Sequence, residues 1–181
     1  GKTSGVLPKD EIIPGEKLEM GSSIKAYVSK LEIGPKGLFI LLSRRHYGFV
    51  KRLLEAEIPE LIDGTVILHS VARDAGSRSK IAVSSNNPNV DAIGAVIGER
   101  GSRINRILKQ LNGEKIDVIL YDADPRVFIA NALSPAKNLI VKIMDEKRKE
   151  ALVIVDNKNS SLAIGKKGQN VKLASRLTRY K

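Results

Sequence analysis

Two short stretches of this 181-residue chain carry residue types suited to holding a chain of phosphates. They are Val96-Ile97-Gly98-Glu99-Arg100-Gly101-Ser102-Arg103-Ile104 and, 67 positions later, Ala163-Ile164-Gly165-Lys166-Lys167-Gly168-Gln169-Asn170-Val171. In each, an isoleucine precedes Gly-x-x-Gly, and at least one basic residue lies between the glycines. Glycine lets another backbone approach closely, and amides at the start of a following helix point outward toward negative charge. The implied chemistry is binding: a sugar-phosphate strand laid against main-chain N–H groups and held by Arg100, Lys166 and Lys167.

Charge and composition point the same way. Lys and Arg number 31 against 20 Asp and Glu, a net +11, which favours a polyanionic partner or an anionic membrane surface. No apolar run reaches the 18 or more residues of a membrane span, and the N-terminus lacks the charged-then-apolar order of a signal peptide. A cytoplasmic, monomeric protein with no membrane partner is expected. The absence of cysteine excludes disulfides, thiolate zinc sites and cysteine nucleophiles. Gly1 in the place of Met reads as a processed or recombinant start.

Helices and strands must present the two loops. Ser22 to Leu31 and Gly37 to Leu42 read as a β-hairpin across Gly34-Pro35-Lys36-Gly37. Apolar residues at helical spacing predict a helix from Phe49 to Ile58, with Pro59 as its stop. Strands follow at Val66 to Ala72 and Lys80 to Ser84, then a helix from Asp91 to Ile97. The first glycine loop comes next, then a helix to Leu111 with Asn112-Gly113 as its left-handed stop, and a strand from Lys115 to Leu120. The order is α-β-β-α-α-β.

The pattern then repeats. Asp124 caps a helix from Pro125 to Leu133, strands run from Asn138 to Met144 and Ala151 to Val155, and two helices flank Gly165 to Gly168. The last strand is expected to be missing. About 15 residues separate Val83 from Gly98 against about 10 between Val155 and Gly165, a difference assigned to the Pro88 loop.

With these elements in place, the chain resembles the KH domain family, in which a Gly-x-x-Gly loop clamps about four nucleotides of single-stranded RNA by their backbone. The element order is similar to the type II arrangement. The resemblance implies an apolar base groove beside each loop, lined by Ile97 and Ile104 and by Ile164 and Val171; these four equally suit the cores of their helices. The expected contact set is Gly98, Glu99, Arg100, Gly101 and Arg103 in the first copy and Gly165 to Val171 in the second, with Gln169 and Asn170 included. Arg73, Arg78 and Lys80 join it as positive charge around a hairpin. The segment from Gly165 to Lys181 adds Lys172, Arg176, Arg179 and Lys181 and holds no acid.

A β-rich segment ahead of two such units is similar to bacterial transcription elongation factors that join an S-one domain to tandem KH domains. Val71 to Val83, Glu114 to Val118 and Asn131 to Ala136 strengthen the likeness. It implies an α/β (α+β) chain of three parts: a partial S-one OB-fold at 1–46 with the last three of five strands, a first KH unit at 47–122, and a second, clipped unit at 123–181. It further implies nascent single-stranded RNA as partner, and RNA polymerase bound largely through a domain outside these residues. Tyr27 and Phe39 either stack on bases or pack internally.

Other chemistry finds little footing. His46 and His69 lack metal-ligand spacing, Asp124 is better read as a helix cap than as a Mg²⁺ ligand beside Asp122, and no P-loop or dinucleotide motif occurs. No metal, cofactor or catalytic residue is expected. Three rival readings remain. A helix-turn-helix DNA module would prefer duplex DNA; an RNA-turnover accessory would degrade RNA with phosphate; a ribosomal protein would sediment with ribosomal subunits.

Overall fold

A computed structural model describes residues 3–181. The N-terminal part is an antiparallel hairpin, β1 (Tyr27–Gly34) and β2 (Gly37–Ser43), with a bulge between Val28 and Lys30. Val6 adds a single parallel bridge to Leu41. Among the described residues this region therefore has two strands and a bridge, in place of the three strands expected. The segment before the hairpin still reaches the main body, because Ile13 is fully buried in the first core. Buried Arg44 ties it further, donating from Nε to Glu16 Oε1 at 3.0 Å and from Nη2 to the Gln110 carbonyl at 3.0 Å.

The first unit opens with α1 (Tyr47–Glu57), capped by His46, whose Nδ1 accepts from the Gly48 amide. Pro59, expected only to stop this helix, is the first residue of α2 (Pro59–Asp63). Its missing N–H costs nothing at that position, so it starts a helix as readily as it ends one. The sheet has the order β3-β4-β5, with β3 (Val66–Asp74) antiparallel to β4 (Arg78–Ser85) and β4 parallel to β5 (Lys115–Leu120). Between β4 and β5 lie α3 (Ala92–Ile97) and α4 (Ser102–Leu108).

Alternation along β4 divides two cores. Ile81 and Val83 face α1, α3 and α4, joining Phe49, Leu54, Val96 and Ile107. Ala82, with Ala72 and Ile119, faces the second unit instead.

That second unit comprises α5 (Pro125–Ala132), β6 (Ile140–Asp145), β7 (Glu150–Ile154), α6 (Asn157–Ile164) and α7 (Gln169–Thr178). Phe128 and Ile129 of α5 and Leu173 and Leu177 of α7 pack on the first sheet and also on Val141, Ile143 and Val153 of the second. The helices of the second unit are thus a shared layer between two sheets. The repeat extends to the last residue: Lys181 donates to the Lys149 carbonyl and accepts from the Ala151 amide, as Lys115 donates to the Ser77 carbonyl beside β4. The strand expected to be missing is represented by this one rung.

Candidate nucleic-acid interface

Each glycine loop is a left-handed turn between two helices. In the first, Gly98 has φ/ψ of 76°/171°, Arg100 53°/30° and Gly101 75°/16°. In the second, Gly165 has 76°/170°, Lys167 54°/27° and Gly168 73°/14°. Two unrelated dipeptides, Glu99-Arg100 and Lys166-Lys167, have been folded into one backbone shape. Positive φ at a non-glycine residue is uncommon, so Arg100 and Lys167 hold their conformation because the glycines on either side impose it.

The glycines are also packed. A Cβ on Gly98 would lie 2.9 Å from the Arg103 amide nitrogen, and one on Gly165 would lie 2.8 Å from that of Asn170. Both loops are braced by the residue five positions after the first glycine. Arg103 Nη1 donates to the Ala95 carbonyl at the end of α3 and to Glu60 Oε2, each at 2.8 Å. Asn170 Nδ2 donates to the carbonyls of Leu162 and Ala163 at the end of α6 and to that of Leu133. A helix leaves its last carbonyls unpaired, and each unit has recruited a different side chain to satisfy them.

This sorts the expected contacts. Glu99, Arg100, Lys166 and Lys167 are exposed. No described carboxylate pairs with Arg100, Lys166 or Lys167. Ile97, Ile164 and Val171 are 37%, 50% and 41% exposed, whereas Ile104 is half-buried against the first core. Tyr27 is partly buried with its ring stacked 4.9 Å from that of His46, and Phe39 is exposed on β2.

Three expected contacts are corrected. Asn170 is 1% exposed and serves as the internal brace. The Arg73 side chain is 1% exposed: Nε meets Glu114 Oε1 at 3.1 Å and Nη1 donates to the His46 carbonyl. Lys80 is fully buried, donating to Asp117 Oδ2 at 2.8 Å and to the Ser134 carbonyl at 2.9 Å. Burial pushes both cations below their ordinary pKa values, against the opposing pull of Glu114 and Asp117. A buried charge is tolerated only when paired, and burial keeps both cations out of a ligand's reach, although Arg73 Nη2 has no partner of its own. Arg78, partly exposed, shares Asp117 with Lys80.

One feature had no signal in the spacing. Gln169 Nε2 donates to Asp74 Oδ2 at 2.8 Å and to Ser77 Oγ at 2.7 Å, so the second loop leans on the β3–β4 turn of the first unit. Between them lies a cleft of about 410 Å³ lined by Asp74, Ser77, Lys166, Lys167, Gln169 and Lys172.

Two units of this topology, each presenting the same glycine turn between helices, define a tandem KH protein. Residues 44–121 match a NusA-like first KH domain and residues 125–181 a NusA-like second KH domain, and the chain belongs to the NusA-like KH family. It is 50% identical over 182 residues to the transcription termination/antitermination protein NusA of Halalkalibacterium halodurans, covering 100% of this chain and 47% of that protein. It is 49% identical over 181 residues to the protein of that name in Bacillus subtilis, covering 100% of this chain and 48% of the relative. The chain therefore spans about half the length of the curated relatives it matches. The crystal structure of APE1850 is similar at a TM-score of 0.50 and 25% identity, over 70% of this chain and 87% of that one.

Proposed function

We propose that residues 98–101 and 165–168 are two clamps for the backbone of single-stranded RNA, within a transcription factor of the NusA type. The observation that carries this reading is the shared backbone of the two loops despite their different inner residues. A shape kept while its side chains vary is a shape used through its main chain, and exposed cations beside it suit phosphate. Ile97 beside the first loop, and Ile164 and Val171 beside the second, leave apolar surface exposed that suits bases splayed from the strand.

In this reading the protein binds and performs no chemistry. Its RNA is the nascent transcript, its setting the cytoplasm, and its outcome the pausing, termination or read-through of RNA polymerase. The polymerase is engaged largely by parts of the factor outside residues 1–181, and this chain acts as a monomer. Replacing Glu99 and Arg100, together with Lys166 and Lys167, by Asp tests the clamp. Single-stranded RNA binding is expected to collapse in a protein with an unchanged circular dichroism spectrum. Unchanged affinity, or preference of the parent protein for duplex DNA, would reject it.

A further inference from the structure

The clefts beside α7 do not stop at the second loop. The one that holds Lys166 and Lys167 shares Asp74, Gln169 and Lys172 with its neighbour, which reaches Arg176. Arg176 in turn lines a third cleft of about 350 Å³, closed by Arg179, by Tyr47 and Lys51 of α1, and by the edge of β3 from Leu68 to Val71. The helix between the loop and this third cleft is ten residues, about 15 Å, which a few nucleotides span.

The third cleft is built for an anion with a flat ring. None of the residues lining it is acidic. Lys51, Arg176 and Arg179 have no ion-pair partner among the described residues, so three like charges converge on one concavity with nothing to neutralise them. His69, also in the wall, is held below its ordinary pKa by partial burial. Its ring stacks 3.7 Å from that of Tyr121.

Tyr47 ends a separate stack, Tyr27 on His46 on Tyr47, and is itself 55% exposed. A chain with only four tyrosines has placed two of them against one histidine ring, with the second, Tyr47, largely exposed and lining the cleft. Arg179 sits at the left-handed position after α7, φ 62°, where glycine would be free of strain. An arginine there carries a local cost, and its side chain lines the cleft.

We propose that this cleft is a third RNA contact, distinct from the two glycine loops, in which a base of the strand leaving the second loop stacks on Tyr47 while Lys51, Arg176 and Arg179 hold its phosphates. The proposal rests on the RNA reading of the loops. A base on an aromatic face contributes affinity without sequence preference, and each cation adds a phosphate contact.

The test compares two single-stranded RNAs, one of about four nucleotides, enough for one clamp, and one of about twelve. Their affinities are measured by fluorescence anisotropy at two salt concentrations for the parent chain, Arg176→Gln with Arg179→Gln, Tyr47→Leu, and Arg179→Gly. The last variant removes a charge while relieving backbone strain, so it keeps the protein folded. The longer RNA is expected to bind about tenfold more weakly to the double variant, with its salt slope reduced by about 1.4, while the shorter RNA is unaffected. Tyr47→Leu lowers affinity for the longer RNA with no change in slope. Equal binding of the longer RNA by parent and variants would overturn the third contact alone. An equal loss for both RNAs would also overturn it, since the cations would then act only through the general field. Failure of the parent chain to bind either RNA would overturn both this site and the clamps.

Discussion

The first and second KH units solve one problem with different materials. Both end their entering helix at a glycine with φ 76° and both satisfy its last carbonyls from the position five residues on. The first uses Arg103, half-buried and shared with Glu60; the second uses Asn170, buried and bound to three carbonyls. The difference teaches what the loops hold in common: main-chain shape is preserved, while inner charge and brace vary. The second loop, with two exposed lysines and a seat on the neighbouring β3–β4 turn, is the more strongly cationic clamp.

The sharpest way to break this comparison is to make the inner residues of one loop at a time acidic. Lys166→Asp with Lys167→Asp is expected to lower single-stranded RNA affinity on the order of a hundredfold, and Glu99→Asp with Arg100→Asp about tenfold, read by anisotropy at fixed salt. Equal losses would mean that the two clamps share the load. Next are the braces. Asn170→Ala leaves the Leu162 and Ala163 carbonyls without their side-chain donor and should cost about 3 kcal/mol in denaturant unfolding, whereas Arg103→Ala, at a partly solvated site, should cost about 1 kcal/mol or less. Gly98→Ala and Gly165→Ala each force a Cβ against backbone at positive φ and should destabilise by about 1–2 kcal/mol, with RNA affinity falling as the turn distorts. An alanine variant with parental stability would show that the turn is more pliable than its packing indicates.

The smallest effect concerns the joint between the units. Burial holds the Lys80 pKa below its ordinary 10.5. Between the folded value and 10.5 the unfolded chain keeps a proton that the folded chain has lost, so stability rises with pH across that window. Parent minus Lys80→Met stability is therefore expected to increase as the solution approaches pH 10.5. A flat difference would mean that Asp117 and the Ser134 carbonyl offset the desolvation fully.

Much of this architecture was legible in the residues. The span of β5, the Asp124 cap and both glycine turns follow from local patterns, because each is decided by neighbours within a few positions. Pro59 was ambiguous, since proline suits both the end of one helix and the start of the next. Arg73 and Lys80 misled for a different reason. Cations on a hairpin read as surface, and the carboxylates that draw them inward lie 41 and 37 positions away. Asn170 looked like part of a polar loop, and only the approach of α6 to α7 turns it into a brace. Three clefts in series along α7 belong to the packing of one unit on another, which no spacing reports.

The central claim is that RNA is held through the main chain of two like turns. Titration of the isotope-labelled chain with a short single-stranded RNA, followed by amide chemical shifts, addresses it most directly. The account predicts that the amides of Glu99 to Gly101 and of Lys166 to Gly168 move first and furthest. Shifts confined to the hairpin of β1 and β2, with both turns silent at saturation, would contradict it.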